Sequence, residues 1–180
     1  QQSAQEAWIA AFQGDNPDVT IEYDPAGSGT GRDTFVAGGS AFAGSDRAFN
    51  DEEIAAGEFG SCATENVVEI PAYISPIAII FNLEGIDSLD LDAATIANIF
   101  NGTISNWNDP AIAALNEGVE LPDLAISPVH RQDDSGTTEN FTEYLHEVAP
   151  DAWTEEPDGV WPIAGGEAAQ GTSGVVSAVQ

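Results

Sequence analysis

An α/β architecture with a largely parallel sheet is what the 180-residue sequence predicts, and three observations carry the prediction. Segments whose apolar residues fall at helical spacing alternate with short β-branched runs. Glycine-rich turns stand where strand patterns give way to helix patterns. The apolar stretch "NVVEIPAYISPIAIIFN" (66–82) is too long for one straight strand and is broken by Pro71 and Pro76, as a crossing between two lobes would be.

In chain order, "AQEAWIAAF" (4–12) sets Ala4, Trp8, Ile9 and Phe12 at helical spacing, and "DVTIEYD" (18–24) alternates as a strand does. The glycine-rich turn "AGSGTGRD" (26–33) leads into a short helix over "DTFVAG". Next, "AFAGSD" (41–46) predicts a short buried strand running into a loop, and "NDEEIAAG" (50–57) a helix capped by Asn50 and stopped by Gly57. Within the long apolar stretch, "YISPIAIIF" (73–81) reads as a buried strand. "DAATIANIF" (92–100) is a helix with Asp92 at its start, and another begins near Pro110, where proline suits a first helical position. "LAISPVHR" (124–131) predicts a strand, and "TTENFTEYLHEV" (137–148) a helix with Phe141, Leu145 and Val148 on one face. The Gly- and Ala-rich tail from 164 to 180 shows no clear terminal element, and no internal repeat is visible.

Hydrophobic residues make up 42% of the chain, enough for a core. Against 31 acidic residues stand three basic ones, Arg32, Arg47 and Arg131, leaving a net charge of -28. Such a surface repels nucleic acid and anionic membranes. The acidic residues are scattered, which fits a solvated surface rather than an interaction tail. No apolar run has the length of a membrane span. The opening at Gln1 lacks a basic or apolar leader and the sequence has no Met, so the expectation is a piece of a longer protein with any targeting segment outside it. Cys62 stands alone and builds neither a disulfide framework nor a metal site. Its expected state is a small buried thiol or half of a disulfide completed elsewhere.

One motif concentrates polar chemistry. In "HRQDDSGTT" (130–138), Ser135, Gly136 and Thr137 fall where a strand's carboxyl end meets a helix amino terminus. The first N–H groups of a helix have no internal partner and its dipole puts about half a positive charge there, so this is an anion site. Arg131 adds a planar fork suited to two oxygens, with Asp133 or Asp134 to hold it. The plain alternative is an N-cap serine beside a surface ion pair. "AGSGTGRD" repeats the strand, glycine turn, hydroxyl, helix arrangement and matches neither a Walker loop nor the dinucleotide spacing. Two such turns favour an oxyanion shared between helix amino termini.

Asp46, in "AGSDRAF", looks misplaced beside an anion, since two like charges ~4 Å apart repel by roughly 4 kcal/mol at an effective dielectric of 20. It fits when the anion carries a proton, because a carboxylate only accepts. Phosphate near neutral pH holds such a proton and sulfate does not. A hydrolase with Ser135 as nucleophile and His130 or His146 as base fits poorly. His130 and Arg131 point to opposite faces of a strand, and His146 lies eleven residues beyond Ser135, roughly 16 Å along a helix. Trp8, Trp107, Trp153 and Trp161 read as packing residues rather than a sugar-stacking set.

The ordered set "AGSGTGRD", "GSD", "ISNWNDPAIAALNEGVELP", "VHRQDDSGTTENFTEYL" and "WPIAGG" resembles the phosphate-binding proteins of bacterial phosphate uptake transporters, over nearly the whole chain. The resemblance implies a two-lobed periplasmic-binding-protein-like fold of type II, with 1–71 part of an incomplete lobe one and 72–180 most of lobe two. A glycine-rich loop before the first helix and strands after "GVVSAVQ" are the family features expected to lie outside this chain. It implies a binding role without catalysis, cofactor or metal, and an extracytoplasmic location, with a lipid anchor possible through a segment outside the chain. The implied partners are inorganic phosphate and the membrane permease of an ABC transporter. Position by position, Ser28 matches a hydroxyl donor, Asp46 the acceptor of the phosphate proton, Arg131 the guanidinium ligand with Asp133 orienting it, and Ser135, Gly136 and Thr137 the helix-terminal donors. A receptor for sulfate or molybdate is the alternative within the class, and a secreted phosphatase-like hydrolase the one outside it.

Overall fold

The computed structural model describes residues 2–60, 62–64 and 66–180. Along the chain run α1 (Gln2–Asp15), α2 (Ser28–Val36), α3 (Asp51–Ala56), α4 (Ala93–Phe100), α5 (Pro110–Leu115), β1 (Val129–Arg131), α6 (Gly136–Val148), β2 (Glu167–Ala169) and α7 (Gly171–Val179). Short polar side chains start most of the helices. Asn50 accepts the Glu53 N–H at 2.8 Å while the Glu53 carboxylate accepts the Asn50 N–H at 2.8 Å, a reciprocal capping box that opens α3. Gly57 closes it at φ 64°, a left-handed conformation in which a Cβ would be strained. Asp92 caps α4 through the Thr95 N–H at 2.7 Å, and Asp109 caps α5, where Pro110 takes the first helical position.

Packing is concentrated in residues 91–163. Ile96 and Ala97 of α4 meet Leu145 of α6 together with Ala149 and Trp153, and Phe100, Phe141 and Trp161 close over this cluster. Ile99, Ile104 and Ile112 form an adjoining second core. The earlier part of the chain is thinly packed, with Phe59 buried against Phe49 at a ring separation of 5.3 Å and against Phe35 at 6.2 Å. β1 and β2 pair in parallel, Val129 opposite Glu167 and Arg131 opposite Ala169, and α7 returns across both strands. The parallel sense is the expected one, but the sheet has two strands among the described residues.

Three expected strands are absent. Residues 18–24 and 41–46 are irregular, and Phe42 is 71% exposed rather than buried. The stretch 73–81 is likewise irregular and open, with Ile74 97% exposed. β-propensity measures fit to a paired, half-buried surface, and among the described residues none of these segments is hydrogen-bonded into a ladder. One helical boundary also moves. Helix α2 starts at Ser28, inside the supposed glycine-rich turn, because Gly27 at φ 97° makes the sharp entry by itself. The tail, expected to be featureless, forms β2 and α7. Val148 turns outward at 57% exposure, although Leu145 is fully buried and Phe141 packs on the core as the helical spacing requires. Cys62 is a free, half-buried thiol.

Candidate functional site

The amino termini of α2 and α6 meet. A Cβ added to Gly136 would stand 3.0 Å from Ser28 Oγ and 2.8 Å from Asp46 Cβ, so glycine is what permits the approach. Ser135, 1% exposed, caps α6 by accepting the Thr137 N–H at 3.2 Å and the Thr138 N–H at 3.5 Å. Each helix end carries roughly half a positive charge, and two such ends brought together repel unless negative charge lies between them. Asp46 supplies it. Its carboxylate accepts from Thr137 Oγ1 at 3.2 Å, its N–H donates to Ser28 Oγ at 3.2 Å, and its carbonyl accepts from Asn140 Nδ2 at 3.1 Å. Because Ser28 Oγ accepts in this arrangement, its own proton is free to be donated elsewhere.

Arg131, at the end of β1, is gripped along one edge by Asp133. Nε donates to Asp133 Oδ1 at 2.7 Å and Nη2 donates to Oδ2. The Gly171 N–H, first in α7, donates to the same Oδ1 at 3.0 Å. Burial by itself would raise the Asp133 carboxyl. The hydrogen bonds from Arg131 and Gly171, with the guanidinium charge, outweigh burial and hold it below the ordinary aspartate value. Of the two carboxylates the sequence offered for this duty, Asp133 performs it. Asp134 instead lies against Gly29 and Gly159, where any Cβ would collide with its carboxyl group.

The structure therefore brings Ser28, Asp46, Ser135, Gly136 and Thr137 into one cluster. It sets Arg131 and Asp133 beside that cluster through Gly27, whose Cβ would stand 2.9 Å from Asp133 Oδ2 and 3.7 Å from Arg131 Nη2. Neither histidine joins it. The His130 ring stacks on Trp161 at 4.8 Å, and His146 Nδ1 is hydrogen-bonded with the Glu155 carbonyl at 3.0 Å. Among the described residues no group of His, Cys, Asp or Glu is arranged to hold a metal ion, and no helix is long and apolar enough to cross a membrane. Sequence reasoning missed Asn140, which also donates to the Gly136 carbonyl at 2.7 Å, because a polar residue one turn into a helix carries no signal of its own. It missed Gly171 because the tail showed no helix. It also missed Arg47, and there a signal existed in the scarcity of cations and its place next to Asp46.

Two helix amino termini, an arginine held bidentately by one carboxylate and a second carboxylate thus lie together on an α/β scaffold. The family model for the PBP superfamily domain matches residues 1–180, and the chain belongs to that superfamily. The fold class expected from the sequence, a periplasmic-binding-protein-like architecture represented in part, is the class these matches give.

Over 180 residues the chain is 40% identical to "Phosphate-binding protein PstS 3" of Mycobacterium leprae, using all of this chain and 48% of that protein. It is 36% identical over 165 residues to "Phosphate-binding protein PstS" of Xylella fastidiosa, 89% of this chain and 43% of that one. Among solved structures, the periplasmic phosphate-binding protein PfluDING bound with phosphate superposes with a TM-score of 0.59 at 26% identity, over 86% of this chain and 45% of that one. A DING protein crystal structure gives a TM-score of 0.68 at 25% identity, over 89% and 48%. The chain thus spans about half the length of the relatives it matches.

Proposed function

We propose that this chain is part of an extracytoplasmic receptor that binds inorganic phosphate and delivers it to the membrane permease of an ABC transporter. The observation that carries the reading is the meeting of two helix amino termini around Asp46, with the Arg131–Asp133 pair alongside. In this reading Ser28 and the first amides of α6 donate to phosphate oxygens, Thr137 turns its hydroxyl from Asp46 to the anion on binding, and Ser135 and Gly136 shape the α6 end that presents these donors. Arg131 meets the anion with the edge Asp133 leaves open. Asp46 accepts the proton that phosphate carries. Hydrogen bonds to a charged group contribute roughly 1.5–3 kcal/mol each, so a handful offsets the desolvation of the anion. Residues 1–71 and 72–180 are the parts of the two lobes that close on it. The relatives' names support the ligand, and their greater length supports placing the remaining ligand groups and sheet strands outside this stretch.

The role is binding without turnover. Ser135 Oγ is occupied with its own helix and both imidazoles are engaged elsewhere, so neither histidine is placed to activate Ser135 as a nucleophile. Calorimetry on the full-length protein is expected to show phosphate bound at least a hundredfold more tightly than sulfate, because Asp46 repels an anion that has no proton to give. Equal affinities for the two anions overturn the assignment of Asp46, and turnover of a chromogenic phosphate ester overturns the receptor reading in favour of a hydrolase.

A further inference from the structure

The residue after the proton acceptor is itself a cation, and it is held from two sides. Arg47 grips Glu53 at the start of α3 with Nη1 at 2.6 Å and Nη2 at 2.9 Å, and its Nε faces the Glu139 carboxylate in the first turn of α6. Nη1 also donates to the Ala48 carbonyl at 2.7 Å. The Arg47 side chain is 18% exposed and that of Glu139 23% exposed, which sets the pair apart from the solvent-exposed pairs that contribute almost nothing. Glu139 lies 92 residues from Arg47 in sequence, on the helix whose first turn carries Gly136 and Thr137.

The loop that bears Asp46 is thereby tied to both of its neighbours. On one side Arg32, buried in α2, donates to Ser45 Oγ at 3.0 Å, and Ser45 Oγ also accepts the Arg47 N–H at 3.3 Å. Across the site, Thr137 and Asn140 hold the Asp46 carboxylate and carbonyl, and Glu139 between them on the chain holds Arg47. A carboxylate that distinguishes protonated from unprotonated oxyanions must sit within hydrogen-bond reach of one oxygen, and a shift of about 1 Å removes that reach. Release of the adjacent Arg47 from α6 would remove an ion pair from this junction, leaving the hydrogen bonds from Thr137 and Asn140 to work against the mutual repulsion of a surface dominated by carboxylates.

We propose that Arg47, through Glu139, is a positioning and specificity-determining residue of the anion site: the ion pair ties the Asp46 loop to α6 and sets the distance between the acceptor carboxylate and the helix donors. The proposal rests on the phosphate-receptor reading. The test is calorimetry on the full-length protein with inorganic phosphate and with sulfate, comparing Arg47→Gln, Glu139→Gln, the double variant and Arg47→Lys, with circular dichroism to verify folding. Arg47→Gln is expected to lower phosphate affinity at least tenfold, to leave sulfate affinity unchanged or higher, and so to shrink the ratio between them. Glu139→Gln is expected to do the same, the double variant to be no worse than either single one, and Arg47→Lys to keep most of the ratio.

An Arg47→Gln protein that melts earlier yet keeps both affinities overturns the inference and leaves only a structural ion pair. Should Arg47→Gln fail to fold, Glu139→Gln decides the matter alone, an unchanged ratio again overturning the inference. Failure of the unsubstituted protein to bind phosphate overturns the receptor reading and this inference together. Selective wild-type binding with unaltered variants overturns this inference only.

Discussion

At the scale of single residues, Glu53 shows how far a few cations can reach in an acidic chain. The hydrogen bonds from Arg47 pull its carboxyl down, burial pushes it up, and the Asn50 N–H with the Arg47 and Arg32 charges completes the balance, which settles at about 2. A group depressed in the folded state favours folding above its unfolded value, near 4.3, and that contribution disappears as pH falls toward its folded value. Following the Glu53 carboxyl by NMR through an acid titration is expected to give a midpoint near 2 in the native protein, and a return to the ordinary glutamate range in Arg47→Ala. A midpoint above 4 in the unsubstituted protein would refute the pairing. The residues assigned to the proposed anion site stood out in the sequence because their types are rare or specialised: an arginine beside two carboxylates, and Ser-Gly-Thr at a helix start. Glu139 and Asn140 were not, since glutamate is everywhere in this sequence and asparagine has many ordinary uses on a helix.

At the scale of elements, legibility followed the range of the interaction. Helices α3, α4 and α5 were placed by their start signals, the caps Asn50 and Asp92 and the first-position Pro110, because such a signal acts within four residues and needs nothing from the rest of the fold. Strands depend on a partner that may lie anywhere in the chain, and residues 18–24, 41–46 and 73–81 show β-type sequence without a ladder to join. Helix α7 was hidden for the opposite reason: Gly171, Gly174 and three valines give it poor intrinsic propensity, and its packing on β1 and β2 holds it instead. The capping box of α3 carries a prediction at this scale. Replacing Asn50 with alanine is expected to cost about 1 kcal/mol, read as a lower urea midpoint with an unchanged slope. A larger loss is expected if Glu53, freed from the box, also loosens its grip on Arg47.

At the scale of the whole molecule, charge dominates. Thirty-one acidic residues face three arginines, so the ion pairs Arg32–Glu53, Arg47–Glu53, Arg47–Glu139 and Arg131–Asp133 engage every basic side chain present. The remaining carboxylates repel one another across the surface. Salt weakens both effects, but few pairs are available to lose and many repulsions to relieve. Raising ionic strength from 0.01 M to 0.15 M shortens the screening length from roughly 30 Å to roughly 8 Å. Scanning calorimetry on the full-length protein is expected to record a melting temperature higher by on the order of 5 °C. A fall would mean that the pairs outweigh the field. Net charge was the one global property legible from composition alone. Its concentration of cations around a single site was not, because composition counts residues without locating them.

That concentration has a practical side. Trypsin cleaves only after lysine or arginine, this stretch has no lysine, and the arginine side chains are 7%, 18% and 11% exposed at positions 32, 47 and 131. A protease confined to those three bonds must wait for the region around Asp46 and Arg131 to open before it can cut. Digestion rate then becomes a clock for that opening, and whatever holds the region shut will slow it.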